Sequence, residues 1–242
     1  MKTLHKIFTA LVFISVLGIH LSYAGGLRVD QVLDRMEEAN ARLEDMQADF
    51  VQTKEMAFFD ECIVSKGKFY FRNPDKLVLD TRSPEHQQLI INYNHVWLHY
   101  PELKQVHELS LKQSKGLSAM FVGFGGSVKD IREQFSVELG ELDEGAKTQG
   151  KSFCKLILQP LPGSPAASPA LCLDRVILMV DRGKWLPVKT WIVQKNGDRT
   201  ILEYSNRKVN LKLSESRFTF KPPAGTEVID HTKGAAGSGT AE

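Results

Sequence analysis

From Ala48 to Leu213 the chain reads as one short strand after another, joined by connections too short to carry a crossover, so neighbouring strands must run antiparallel. Ala48, Phe50 and Gln52 alternate with Asp49, Val51 and Thr53, a period of two. Gly67 opens Lys68-Phe69-Tyr70-Phe71-Arg72, Asn73-Pro74-Asp75 is a turn signal, and Leu77 to Asp80, Leu89 to Ile91, Val96 to Leu98 and Val106 to Leu109 follow in quick succession. Further strands are predicted at Phe135 to Leu139, Ser152 to Gln159, Leu171 to Val180, Val188 to Gln194 and Thr200 to Leu213, with Asn196-Gly197-Asp198 as the hairpin between the last two. That makes about ten or eleven strands in one meander. Pro160 to Ala170 is predicted to be an exposed loop inside it.

Helix is confined to two places. Between Leu27 and Met46 the apolar residues Leu27, Val32, Leu33, Met36, Ala39 and Leu43 recur at mostly three- and four-residue steps, which predicts one amphipathic helix with Asp30 as its N-cap candidate. From Lys115 to Glu133 the strand pattern breaks, and the spacing predicts a short apolar helix, a mobile glycine loop and a second short helix. A long antiparallel sheet must close on itself or cover its apolar face. Two helical covers over so many strands leave room, so the expected architecture is mainly β with α: an unclosed half-barrel under a helical lid, enclosing an apolar hollow. Strand parity and lid apolarity nominate Phe50, Phe69, Phe71, Leu77, Leu79, Leu89, Ile91, Trp97, Leu117, Met120, Phe121 and Trp191 as its lining. Met120 and Phe121 lie beside Gly123, Gly125 and Gly126, which would let the short helix swing.

The two ends bear on where such a fold works. Lys2, His5 and Lys6 precede the apolar run Ile7 to Leu21, which ends at Ser22-Tyr23-Ala24, the pattern of a secretory signal cut after Ala24. Residues 1–24 are therefore expected to be removed, 25–231 to form one domain, and the Gly-, Ala-, Ser- and Thr-rich residues 232–242 to be a disordered tail. The residue after the cut is Gly25 rather than a cysteine that could be acylated, so release, not anchoring, is expected. Export makes disulfides possible. Cys154 and Cys172 flank the Pro-rich loop and could face each other across a hairpin, leaving Cys62 over.

Chemistry-bearing motifs are scarce. His86, His95, His99 and His107 fall among strands and turns without the helical spacing of a metal motif, Gly123-Phe124-Gly125-Gly126 does not follow a strand as a phosphate cradle would, and no G-x-S-x-G elbow occurs. Neither a metal, a cofactor nor catalysis is expected. Net charge is only +2 with both signs interspersed, which argues against nucleic acid.

Four segments in order resemble the LolA family of periplasmic lipoprotein carriers: Phe50-Val51-Gln52-Thr53; Gly67-Lys68-Phe69-Tyr70-Phe71-Arg72-Asn73-Pro74; Trp97-Leu98-His99-Tyr100-Pro101 with Gln105-Val106; and Phe218 to Asp230. The resemblance implies a cavity for the acyl chains of a lipoprotein or related lipid, loading from an inner-membrane ABC-type release complex, and delivery to a LolB-like acceptor in the outer membrane, by a protein expected to be monomeric. One departure stands out. Many carriers place an arginine directly before the motif's proline, where it ties the lid shut, but here that residue is Asn73 and Arg72 comes one earlier. A one-residue shift on a strand reverses the side chain's face, so Arg72 is a doubtful latch and the lid is expected to be held differently or not at all. The alternative function, a lipid-sensing regulator of envelope stress, would usually need a second domain, for which the 218 residues left after removing 24 of 242 give no room.

Overall fold

The computed structural model describes residues 27–59, 61–110, 122–125, 128–142, 152–169 and 172–232. Helix α1 spans Val29–Ala41 and leads directly into six strands: β1 (Asp45–Met56), β2 (Glu61–Arg72), β3 (Lys76–Ser83), β4 (Gln87–Asn92), β5 (His95–Tyr100) and β6 (Gln105–Ser110). A short helix α2 (Val128–Gln134) then precedes β7 (Phe135–Gly140), β8 (Phe153–Pro160), β9 (Leu173–Asp181), β10 (Leu186–Gln194), β11 (Arg199–Val209) and the late β12 (Glu227–Asp230). All twelve strands form one sheet in the order β12-β6-β5-β4-β3-β2-β1-β11-β10-β9-β8-β7. Among the described residues β12 and β7 are its two edges, so the barrel is open, as expected.

The expected single meander is in fact two. β1 to β6 form one and β7 to β11 the other, and they are joined where β1 pairs antiparallel with β11, Phe50 opposite Tyr204. β12 escaped the strand pattern because it is only four residues, mostly exposed, and lies parallel to β6 after a long excursion. That excursion begins where β11 ends, at Val209 rather than the expected Leu213. Asn210 and Lys212 adopt positive φ, and the buried Asp45 carboxylate accepts the backbone N–H groups of Leu211 and Leu213 at 2.7 Å each. The chain leaves the sheet there and crosses its outer face.

α1 is amphipathic as predicted, burying Val32, Leu33, Met36 and Asn40, but it stops at Ala41. Leu43 and Met46 satisfy a strand period as well as a helical one, and both are buried in the sheet's core. Asp30 sits inside the first turn rather than at the cap, which is Arg28; its backbone N–H is satisfied by Gln31 Oε1 at 3.0 Å. The helix packs over the β7–β10 half, against Leu156, Leu158, Val176, Leu178 and Val180, with Ile131 of α2 and Phe135. Ala166 of the Pro-rich loop is buried against the same cluster.

The Cys154–Cys172 bridge that the sequence allows does not form: all three cysteines are free, Cys154 buried and Cys62 and Cys172 exposed. Cys154 pairs with Val180 while Cys172 precedes the start of β9, eight positions from Val180 along the chain. At about 3.3 Å per residue that separation is roughly 26 Å, far beyond disulfide reach. Burial pushes the Cys154 thiol up to about 11.

Candidate functional site

The concave face of the β1–β6 half is built from aligned cross-strand rows. In one row Ala48, Phe69, Leu79 and Leu89 lie side by side; in the next Met46, Phe71, Leu77, Ile91 and Val96 do. Each row exists because the period-two pattern of every strand is in phase with its neighbour, and each such pair adds about 0.2–1 kcal/mol. With Phe50, Leu202 and Tyr204 these residues make one apolar cluster. It carries no ionisable side chain except Tyr204, whose phenol burial pushes well above its ordinary value.

One ring in this cluster comes from outside the sheet. Phe124, 4% exposed, lies in the connection ahead of α2 and inserts among Phe69, Tyr204 and Phe71, with ring centroids 5.4, 5.3 and 6.0 Å away. Its flanking glycines are required by close approach. Gly123 (φ +93°) would bring a β-carbon within 2.7 Å of the Pro187 side chain, and Gly125 (φ +68°) within 2.2 Å of the Pro74 carbonyl oxygen. Both conformations are open to glycine and costly to other residues.

What holds this loop down is a pair of asparagines. The buried Asn40 donates through Nδ2 to Gly123 O (3.2 Å) and to Met36 O (3.0 Å), and its Oδ1 accepts the Gly125 N–H (3.2 Å). Asn73 Nδ2 donates to Asn40 O (2.8 Å) and Leu43 O (2.9 Å). Helix, loop and β2–β3 turn are thus fastened by neutral amides. Arg72 plays no part in this. It points to the outer face, where it pairs with Glu215 at 2.5 Å and stacks over Phe218 at 5.1 Å. Lys76 pairs with the same carboxylate, and Lys76 and Arg72 together hold it below its ordinary value.

Of the residues nominated from sequence, the structure gathers Phe50, Phe69, Phe71, Leu77, Leu79, Leu89 and Ile91 on the concave face. It places Trp97 and Trp191 on the other one. Trp97 pairs with Ile90, and both belong to an outer cluster with Tyr70, Val78, Leu213, Phe218 and Phe220 of the crossing segment. Trp191 alternates with the inward Thr190, which lies opposite Leu202, and its ring carries Lys189 Nζ at 4.8 Å. Leu117, Met120 and Phe121 fall outside the described residues, as do residues 1–26 and 233–242. Phe124 was missed as a lining residue; a large ring bracketed by glycines is the signal that marks it.

The polar groups lie elsewhere. Asp80 is buried on the outer side of β3; burial alone would raise its carboxyl, but hydrogen bonds from Arg82, Gln88 and His86 bring it below the ordinary value. Among the described residues no group of three or more His, Cys, Asp or Glu is arranged to hold a metal ion.

An open antiparallel half-barrel whose apolar concave face receives a ring from its own glycine loop defines the class of fold. The chain belongs to the family described as outer membrane lipoprotein carrier protein LolA, whose model matches residues 41–221. Among curated relatives, an outer-membrane lipoprotein carrier protein of Methylibium petroleiphilum is 27% identical over 216 residues, covering 86% of this chain and 94% of its own. Another with that description, from Coxiella burnetii, is 24% identical over 228 residues, covering 91% and 98%. Among solved structures, an uncharacterized conserved protein of Thermus thermophilus superposes with a TM-score of 0.50 at 14% identity over 83% of this chain and 98% of its own, a likeness of fold.

Proposed function

We propose that this protein is a periplasmic carrier that takes the acyl chains of lipoproteins, or of a related lipid, onto its concave face and moves them from the inner to the outer membrane. The observation that carries the reading is Phe124: the apolar face is occupied by one of the protein's own side chains, on a loop with glycine joints, which cargo can replace. Each buried methylene of a cargo chain contributes about 0.8 kcal/mol, so binding needs no polar recognition. Membership of the family and the printed descriptions of the relatives support the same reading.

The finer parts follow from it. The chain matures by cleavage after Ala24 to a domain of residues 25–231, receives cargo from an inner-membrane ABC-type complex and yields it to a LolB-like acceptor. Hand-over requires only that the acceptor bind more tightly, about 1.4 kcal/mol for each tenfold of bias, and no catalytic group or cofactor in the carrier. Leu79, Phe69 and Phe71 form the floor that cargo touches once Phe124 has moved.

Native mass spectrometry of the mature protein from periplasm, with solvent extraction of what it holds, tests this. An acylated lipoprotein or lipid is expected, and it should be lost when Leu79 is replaced by Glu. A protein that is always empty, and that releases no lipoprotein from inner-membrane vesicles, would refute the carrier and favour a lipid-sensing regulator.

A further inference from the structure

The β1–β2 hairpin outruns the sheet. β3 pairs with β2 only from Lys66 to Arg72, so residues 61–65 have β1 on one side and, among the described residues, no strand on the other. Glu61, Cys62, Ile63 and Val64 are all exposed, although successive residues point to opposite faces. At the tip, Phe58 is 89% and Phe59 66% exposed, their rings edge to face at 5.1 Å. The tip is also held in place: Ala57 N–H donates to Asp198 Oδ1 of the β10–β11 turn at 3.0 Å, and Phe59 N–H to Met56 O at 3.2 Å. A free strand edge with apolar side chains on both faces and a fixed aromatic tip is the template for pairing with another strand.

We infer that this edge pairs with a second copy of the chain, β2 against β2, antiparallel across a two-fold axis near Ile63. The segment is self-complementary in that orientation. Ile63 meets Ile63, Cys62 lies opposite Val64, and Glu61 lies opposite Ser65, one residue from the partner's Lys66. A parallel pairing would set like charges together. Phe58 and Phe59 are carried towards the partner's sheet and lose their exposure. Two five-residue edges and four rings cover less surface than a permanent dimer needs, so the association is weak and reversible. The dimer stands independently of the carrier reading, because the floor residues of β2, Phe69 and Phe71, lie six and eight residues along the strand from Ile63.

The protein supplies its own probe, because Cys62 sits on the pairing edge while Cys172, also exposed, precedes β9, four strands away in the sheet. The mature protein is treated with a short bismaleimide over a concentration series, with light-scattering mass measured in parallel. Expected are a mass rising towards twice the monomer's, a cross-link through Cys62 that survives Cys172→Ser and vanishes in Cys62→Ser, and association weakened at least tenfold by Ile63→Lys. Since Ile63 is exposed, that variant should melt like the parent. Monomer mass at every concentration, or cross-linking through Cys172 as readily as through Cys62, overturns the dimer. So does a monomer whose tip binds phosphatidylglycerol vesicles and loses them in Phe58→Ser/Phe59→Ser, which would make the hairpin a lipid anchor instead.

Discussion

If Phe124 holds the place of cargo, then removing it should weaken the protein and strengthen its grip on an acyl chain together. The ring is almost fully buried against Phe69, Phe71 and Tyr204. Replacing such a residue by alanine costs about 3–5 kcal/mol when the space cannot collapse. In the parent protein cargo must first displace the ring, so most of the docking free energy opposes binding. With Phe124→Ala that opposition is gone, although the Asn40 bonds to Gly123 and Gly125 still hold the loop. If about 1.5–3 kcal/mol is recovered, affinity should rise about 10- to 150-fold. The assay is equilibrium titration with a fluorescent fatty acid, alongside urea unfolding of the same preparations. A variant that loses stability and affinity in step would refute the reasoning and make Phe124 ordinary core or a cargo contact.

Asn40→Ala removes the hydrogen bonds that fasten the loop and should cost about 1–3 kcal/mol, with faster hydrogen exchange at the Gly125 amide while β8 and β9 stay protected. Unchanged exchange at Gly125 would show that packing alone holds the loop. The outer-face clamp should be acid-sensitive: Lys76, then Arg72, lowers Glu215 from its ordinary 4.5, so its contribution is complete above that value and is lost as pH falls through the lower folded value. Trp97 fluorescence, reporting contact with Phe220, should therefore change below pH 4.5 in the parent, and Glu215→Gln should lack that transition. Of three thiols, Cys62 and Cys172 should react with a chromogenic disulfide at pH 8 and Cys154 only on unfolding; fewer than three thiols in denaturant would restore the bridge.

Much of this fold is legible because its strands are long enough to alternate and their turns short enough to name. Phe69, Phe71, Leu77, Leu79 and Ile91 could be assigned one face from parity alone. Trp97 was lost by not carrying parity through the turn. Asn92 pairs with His95 across the two residues Tyr93 and Asn94, a register that sets Trp97 opposite Ile90 and turns it outward. A Trp's apolar bulk suggested the inside, but the outer face is apolar too, covered by Phe218 and Phe220 from a segment that reads locally as loop. The asparagine fastening was illegible for a different reason. Asn40 looks like any polar residue on a helix until the fold brings Gly123 against it from 83 positions away. The doubt about Arg72 needed only strand parity; its actual partner, Glu215, needed the fold.

The order of the strands also bears on how the chain assembles. Each meander closes between near neighbours in sequence and can form early, whereas the seam at β1 and β11 joins residues such as Asp49 and Asn206, 157 positions apart. Loop-closure entropy makes such pairings slow. Two half-sheets should therefore form first and meet late, with Phe50 and Tyr204 unburied until they do. A chain emerging amino-terminus first cannot complete its central strand until nearly all of it has emerged. For that interval the edge of β1 is the place where misassembly would begin.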